Sequence, residues 1–228
     1  MTGGGCLILS AGNMTAEYNP PNSAKCPGSI ILLHGLGADG EDLLPLGAQL
    51  GGGKWRVVCP NAPVRPVAIN GGMSMRAWYD ITSADLSGRA DKTGVMESAA
   101  IVEALLIAEQ KRGARRIVLG GFSQGAAMAL HCGLRHHCKL GGIIALSGYL
   151  LFADSLLQDA ADENRQTPIF MAHGDADNVV LPQWARHSKD ALAGGGWNIT
   201  YKEYPAAHSI HPQTLDDINL WMATHKCV

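Results

Sequence analysis

The stretch that decides the fold begins as an apolar run and continues as a helical pattern: Ile117-Val118-Leu119-Gly120-Gly121-Phe122-Ser123-Gln124-Gly125-Ala126-Ala127-Met128. At its centre is a Gly-x-Ser-x-Gly motif, with Ser123 at the turn from a predicted strand to a predicted helix. A serine on so tight a turn projects its hydroxyl group, and the flanking glycines let neighbouring backbone approach closely. The motif alone is weak evidence, because ordinary strand-to-helix turns also use small residues. Its position between strand and helix favours a nucleophilic serine.

On both sides of this motif, apolar runs of strand length alternate with longer helical patterns. The predicted strands cover residues 29–33, 55–59, 116–120, 142–146, 168–172 and 198–204. The predicted helices cover about 41–50, 91–112, 124–136, 182–193 and 212–225. Most of the strands are continuously apolar, which is typical of strands covered by helices on both faces. The sequence therefore predicts one α/β domain over residues 1–228, built on a doubly wound, mostly parallel sheet.

The composition excludes several classes of protein. The 228 residues carry 18 Lys and Arg against 20 Asp and Glu, so the chain lacks the basic surplus of a nucleic-acid-binding protein. No apolar stretch reaches the roughly 18 residues of a transmembrane helix. The first residues do not match a signal peptide, and the six cysteines contain no Cys-x-x-Cys pair. We therefore expect reduced thiols and a cytoplasmic protein.

A nucleophilic serine needs a base, and the base needs an acid that orients it. Where the serine lies on a strand-to-helix turn, the acid and the histidine follow it along the chain, after later strands. Asp175 and Asp177 follow the fifth predicted strand, and spacing does not choose between them. His208 and His211 follow the sixth, and His208 is favoured because it lies nearer the strand end. We interpret His173 as a structural neighbour of the acid.

The loop His34-Gly35-Leu36-Gly37 after the first predicted strand supports two interpretations. As part of a Gly-x-Gly-x-x-Gly pattern ending at Gly40, it could bind a dinucleotide at a helix N-terminus. As His-Gly-x-Gly, it could supply a backbone N–H to a developing oxyanion. A dinucleotide site requires an acidic residue about 20 positions further on, and the next strand ends in Cys59-Pro60-Asn61. The oxyanion interpretation is favoured.

A cluster of histidines and cysteines follows the serine motif and could in principle bind zinc: His131, Cys132, His136, His137 and Cys138. No second group of ligands with matching spacing occurs elsewhere in the sequence. We interpret these residues as polar groups near a helix end and predict no metal site.

Taken together, six segments resemble the acyl-protein thioesterase and small carboxylesterase family of α/β hydrolases, also called the phospholipase/carboxylesterase family. The segments are Leu33-His34-Gly35-Leu36-Gly37, Pro60-Asn61-Ala62-Pro63, Met75-Arg76-Ala77-Trp78-Tyr79-Asp80, Gly120-Gly121-Phe122-Ser123-Gln124-Gly125, His173-Gly174-Asp175-Ala176-Asp177 and Tyr204-Pro205-Ala206-Ala207-His208. They span about residues 30–210 in the order of the family. The first 25 residues form an N-terminal extension that the resemblance covers weakly.

The resemblance implies roles for six residues: nucleophile Ser123, base His208, acid Asp177, oxyanion N–H donors Leu36 and Gln124, and acyl-pocket residue Trp78. It selects Asp177 over Asp175, because the latter occupies a variable position of the family motif. It also makes Cys6 a candidate for palmitoylation, since a cysteine near the N-terminus can be modified in this family.

The implied function is that of a serine hydrolase that removes acyl groups from S-acylated proteins through an acyl-enzyme, without metal or organic cofactor. A general carboxylesterase or lysophospholipase acting on small esters is the alternative, because the same triad cleaves both kinds of bond. A hydrolase-fold protein kept only for ligand binding is a third possibility, disfavoured because all the triad residues are present. Membrane contact is expected to be peripheral at most, no nucleic-acid partner is expected, and the oligomeric state stays open.

Overall fold

The computed structural model describes residues 15–21, 26–83, 91–225 and 227, so Cys6 lies outside the described residues. Within these ranges there are nine strands: β1 (Thr15–Tyr18), β2 (Ser29–Leu33), β3 (Arg56–Pro60), β4 (Val64–Val67), β5 (Met73–Arg76), β6 (Ile117–Phe122), β7 (Gly142–Leu146), β8 (Ile169–Gly174) and β9 (Ile199–Tyr204). The α-helices of the same ranges are α1 (Leu44–Gly47), α2 (Lys92–Lys111), α3 (Gln124–Arg135), α4 (Leu156–Asp159), α5 (Pro182–Gly194) and α6 (Gln213–Thr224).

Seven of the strands form one sheet in the order β1-β3-β2-β6-β7-β8-β9. Strand β1 runs antiparallel to β3, and every other neighbouring pair in the sheet is parallel. Strands β4 and β5 form a separate antiparallel hairpin. One sheet thus takes strands from Thr15 to Tyr204, which supports the proposal of a single domain.

Alternating residues of the central strands pack against helices on opposite faces of the sheet. Ile31 and Leu33 belong to a buried cluster that includes residues of α2, α3 and α5. Ile30 and Leu32 belong to a second cluster, which includes residues of α6. Because successive side chains of a strand point to opposite faces, a strand covered on both faces is apolar throughout. The prediction of a mostly parallel sheet with helices on both faces is confirmed.

The predicted helix over residues 41–50 is wrong. The structure has a 3₁₀ turn at Gly40–Asp42, the single turn α1, and a second 3₁₀ turn at Leu50–Gly53. Pro45 lies at the start of α1, and Gly51 and Gly52 adopt φ values of 58° and 67°, which a right-handed helix cannot continue through. Strands β1, β4 and β5 were not predicted, because each has only four residues and none is a continuous apolar run.

The carboxyl ends of the parallel strands lie at one edge of the sheet. The loop after β2 begins at His34, Ser123 follows β6 directly, Asp177 follows β8, and His208 follows β9. Ligands of open α/β sheets bind at this edge. The topology therefore brings together residues that are far apart in the sequence.

Candidate active site

Ser123 lies at the turn between β6 and α3 in a strained backbone conformation. Its φ is 55° and its ψ is −119°, so a residue with a Cβ occupies the region that normally favours glycine. Its N–H donates to the carbonyl of Leu146 in the neighbouring strand β7, at 2.8 Å, which fixes the turn to the sheet. This conformation points the side chain away from the strand, as in the serine turn of hydrolases.

The two glycines around Ser123 are required by close backbone contacts. A Cβ on Gly121 would stand 2.7 Å from the carbonyl oxygen of Leu33, and a Cβ on Gly125 would overlap that carbonyl group. The turn after β6 therefore packs directly against the end of β2. This contact also brings the loop after β2 to Ser123.

His208 contacts Ser123 and Asp177 through its two ring nitrogens. Its Nε2 lies 2.9 Å from Ser123 Oγ, and its Nδ1 lies 2.7 Å from Asp177 Oδ2. A carboxylate only accepts hydrogen bonds, so Nδ1 carries the proton and Nε2 is free to accept the serine proton. The ring also packs on Phe122, with centroids 4.9 Å apart. The three side chains form a continuous hydrogen-bonded chain.

Asp177 is held rigidly, with its side chain fully buried. Its Oδ1 accepts hydrogen bonds from the N–H groups of Val179 and Val180, at 2.8 and 2.9 Å. Asp175 is exposed to solvent. His211 stacks on Tyr204, with centroids 5.3 Å apart. Of the alternatives that the sequence left open, the structure thus brings Asp177 and His208 together.

The loop after β2 carries one of the two predicted oxyanion donors, and α3 carries the other. Gly35 lies against Ser123, because a Cβ on Gly35 would stand 3.4 Å from Ser123 Cβ. Gln124 begins α3, and the first N–H groups of a helix have no partner within it. In the described part of the chain, neither the N–H of Leu36 nor that of Gln124 donates a hydrogen bond. Both donors are therefore free for a substrate oxygen.

The buried imidazole of His34 holds this loop. Its Nδ1 lies 2.7 Å from the carbonyl of Gly35, and its Nε2 accepts the N–H of Ala62 at 2.9 Å. Burial lowers the pKa of His34 below the ordinary histidine value. The ring is therefore neutral at physiological pH, with its proton on Nδ1. The sequence pattern singled out the backbone of this loop and gave no signal for the role of the ring.

Trp78 packs against the loop that follows β2. Its side chain has no exposed surface, so in this structure it does not line an open pocket. Its indole N–H donates to the carbonyl of His34, at 2.9 Å. The residue thus contacts the loop that carries Leu36, and its predicted contact with the acyl group stays a prediction.

Exposed apolar side chains occur on two segments that are connected to the site. Val64, Ile69 and Met73 are exposed on the hairpin of β4 and β5, and Val179 is exposed beside Asp177. The hairpin is joined to the oxyanion loop, because the N–H of Gly37 donates to the carbonyl of Arg76 at 2.9 Å. Sequence reasoning missed this hairpin. The Asn70-Gly71 pair between β4 and β5 is the turn signal that could have predicted it.

The histidines that follow Ser123 contact neighbouring side chains of the fold. His136 bonds Glu103 at 2.8 Å and Gln110 at 3.0 Å, while His131 is buried against Phe152. Over residues 15–21, 26–83, 91–225 and 227, no three His, Cys, Asp or Glu side chains are grouped as metal ligands would be. In the same ranges, no helix has both the length and the apolar character needed to cross a membrane.

The fold and the hydrogen-bonded Ser–His–Asp chain define an α/β hydrolase. The protein belongs to the phospholipase/carboxylesterase family, whose sequence model matches residues 21–226. The chain is therefore a hydrolase, as the resemblance implied.

Individual relatives support this assignment. The chain is 40% identical to an acyl-protein thioesterase 1 of Neurospora crassa over 219 residues, 87% of this chain and 86% of the relative. It is 39% identical to an acyl-protein thioesterase 1 homolog of Dictyostelium discoideum over 198 residues, 82% and 86% of the two chains. The crystal structure of Zea mays acyl-protein thioesterase 2 superposes with a TM-score of 0.82 at 34% identity, covering 92% of this chain and 98% of the other.

Proposed function

We propose that this protein hydrolyses the thioester bond of S-acylated proteins, with Ser123 as nucleophile. The observation that carries the proposal is the chain of hydrogen bonds from Ser123 through His208 to Asp177, at 2.9 and 2.7 Å. This arrangement matches the roles of nucleophile, general base and orienting acid.

The reaction proceeds in two steps. His208 Nε2 takes the proton of Ser123 Oγ as that oxygen attacks the acyl carbonyl, and the N–H groups of Leu36 and Gln124 receive the oxyanion. The intermediate collapses by breaking the carbon–sulfur bond, and the proton on His208 passes to the leaving sulfur, which departs as a thiol. Water then attacks the acyl-enzyme, giving its proton to His208, and collapse releases the free acid and returns the proton to Ser123. Asp177 stabilises the imidazolium in both steps.

Two observations support a long acyl group on a protein as the substrate. The relatives in Neurospora, Dictyostelium and maize are all named acyl-protein thioesterases. In addition, exposed apolar side chains on the hairpin, such as Met73, and in the loop after Asp177, at Val179, offer apolar surface to an alkyl chain.

A cytoplasmic location forms part of the proposal. The described cysteines Cys26, Cys59, Cys132, Cys138 and Cys227 are free thiols, as is usual in a reducing compartment. Acylated proteins would be reached at a membrane surface by peripheral contact.

The experiment compares hydrolysis of p-nitrophenyl esters from C2 to C16 with that of a palmitoyl-cysteine peptide. Ser123→Ala should lower kcat by a factor on the order of 10⁴–10⁶. Ser209→Ala, an exposed serine next to His208, serves as the control and should keep its activity. Full activity of Ser123→Ala would refute the mechanism. Turnover of short esters without the palmitoyl thioester would instead identify a carboxylesterase of small esters.

A further inference from the structure

The segment from Arg76 to Tyr79 contacts both elements that carry the proposed oxyanion donors. The loop with Leu36 follows β2, and Gln124 begins α3, so the two donors belong to separate parts of the fold. An oxyanion site works only when its donors stand about 2.7–3.1 Å from the position of the charged oxygen. Contacts elsewhere in the fold must therefore fix the distance between the loop that carries Leu36 and the start of α3.

On one side, the segment holds the loop after β2. The indole N–H of Trp78 donates to the carbonyl of His34 at 2.9 Å, and the rings of Trp78 and His34 pack 5.4 Å apart. The carbonyl of Arg76 accepts the N–H of Gly37 at 2.9 Å. Leu36 lies between these two anchored positions.

On the other side, the segment holds the side chain of Gln124. The backbone N–H of Trp78 donates to Gln124 Oε1 at 2.8 Å, and Gln124 Nε2 donates to the carbonyl of Tyr79 at 2.7 Å. The carbonyl of Trp78 in turn accepts the hydroxyl of Ser98 in α2, which ties the segment to the core. The Gln124 amide thus uses both its oxygen and its nitrogen to fix the first residue of α3.

We propose that Trp78 is a positioning residue that sets the spacing between the backbone N–H groups of Leu36 and Gln124. It is hydrogen-bonded to both elements, through its indole on one side and its backbone on the other. The proposal rests on the proposed function, in which these two N–H groups receive the oxyanion. The side chain of Gln124 helps to set the same spacing through its hydrogen bonds to Trp78 and Tyr79. The backbone N–H of Gln124 has a different role, as one of the two donors.

The test is Trp78→Phe, which removes the indole N–H and keeps a buried aromatic ring. Trp55→Phe is the matched control. Trp55 is also fully buried, and its indole nitrogen has no hydrogen-bond partner among the residues that the structure describes. With p-nitrophenyl butyrate, Trp78→Phe should lower kcat by about tenfold or more and leave KM within about twofold, since a whole oxyanion donor accounts for roughly 10²–10³ in kcat. Trp55→Phe should keep kcat within about twofold.

Two further readouts separate positioning from a general structural effect. The affinity for a trifluoromethyl ketone, which forms an oxyanion with the serine, should fall in parallel with kcat/KM. The pH profile of kcat/KM should keep its shape, because Trp78 does not contact His208. An equal kcat in folded Trp78→Phe and Trp55→Phe, or a loss confined to KM, would overturn the proposal.

Gln124→Met is the second variant, and it decides the question if Trp78→Phe does not fold. It keeps the backbone N–H and removes both side-chain anchors, so kcat should again fall with KM nearly unchanged. Unchanged kcat in this variant would refute the proposal. The proposed function itself is judged separately by Ser123→Ala, whose full activity would refute the mechanism whatever the Trp78 variants do.

Discussion

His173 Nε2 lies 3.3 Å from Asp177 Oδ2, the same oxygen that His208 contacts. It also lies 2.7 Å from the carbonyl of Val180, which can only accept, so Nε2 carries the proton. Burial lowers the pKa of His173, which keeps the ring neutral. That N–H is donated to the carbonyl of Val180, so it ties His173 at the end of β8 to the loop that carries Asp177.

We predict that His173→Leu lowers the free energy of unfolding by about 1–3 kcal/mol, because the carbonyl of the buried Val180 loses its hydrogen-bond donor. His173→Gln, whose amide can place an N–H near the same position, should recover part of the loss. The measurement is urea unfolding of both variants. Equal unfolding curves for the Leu variant and the unmodified protein would show that His173 only fills space.

The two candidate acids can be separated by isosteric substitutions. Asp177→Asn should lower kcat by about 10⁴-fold, because the amide no longer fixes His208 in the required tautomer. Asp175→Asn is the matched control at an exposed position two residues away, and it should stay within about twofold. Comparable losses in the two variants would contradict the assignment of Asp177.

Gly125 is predicted to tolerate no side chain. A Cβ at this position would overlap the carbonyl group of Leu33, which belongs to the central strand β2 and cannot move aside. Gly125→Ala should therefore reduce the free energy of unfolding by about 3 kcal/mol or more. Gly194→Ala, at the end of α5, meets nothing within 4 Å and should be neutral or stabilising. Urea unfolding of both variants measures the difference.

His131 should make stability depend on pH. Burial lowers its pKa from 6.5 to about 4. Between these pH values the imidazole is therefore protonated in the unfolded chain and neutral in the folded protein. This contribution to the free energy of unfolding is complete above pH 6.5, falls as the pH drops towards 4, and levels off below. The loss is roughly 3 kcal/mol at most.

The measurement is urea unfolding between pH 4 and 7 for His131→Leu. The variant should show a weaker pH dependence than the unmodified protein. His137→Gln, with a side chain that is 86% exposed, is the control and should leave the dependence unchanged. Parallel curves for the Leu variant and the unmodified protein would show that His131 is not the group responsible.

The hairpin of β4 and β5 should contribute to binding of long acyl chains. Met73→Ser should raise KM for C12 to C16 esters several-fold, since it removes apolar surface from the hairpin at a side chain that is 65% exposed. The KM for p-nitrophenyl acetate should not change. Leu220→Ser removes a side chain of similar exposure, 66%, from α6 on the opposite face of the sheet from α3. An equal change of KM in both variants would exclude a specific role of the hairpin.

The sequence predicted the elements whose apolar pattern is long and continuous. The runs at β2, β6, β7 and β8 are buried on both faces, so their composition alone distinguishes them from loops. The hairpin of β4 and β5 has one exposed face and only four residues in each strand, which is too short for a periodic signal. The failure at residues 41–50 has a different cause, because Pro45 lies within the stretch and glycines with positive φ follow it at 51–53.

The candidate site shows the same division. Ser123 and His208 could be predicted because each lies in the turn or loop after a strand, where order along the chain limits the choice. The spacing left Asp175 and Asp177 open, and the family resemblance selected Asp177. The anchoring roles of Trp78 and of the His34 imidazole could not be predicted, because their hydrogen bonds join residues up to 46 positions apart and leave no local pattern. The burial of a side chain and its hydrogen-bond partners depend on how the chain folds, so they are seen only in the structure.

The hairpin of β4 and β5 forms a small sheet of its own, outside the seven-stranded one. Its turn, residues 68–72, can change in length or composition without altering the register of any strand in the main sheet. Arg76 and the residues after it, by contrast, are tied to the catalytic edge. The hairpin and the strand ends that carry the triad are thus separate parts of the chain, and we expect new acyl specificities to arise by mutation of the turn while the hydrolytic reaction stays the same.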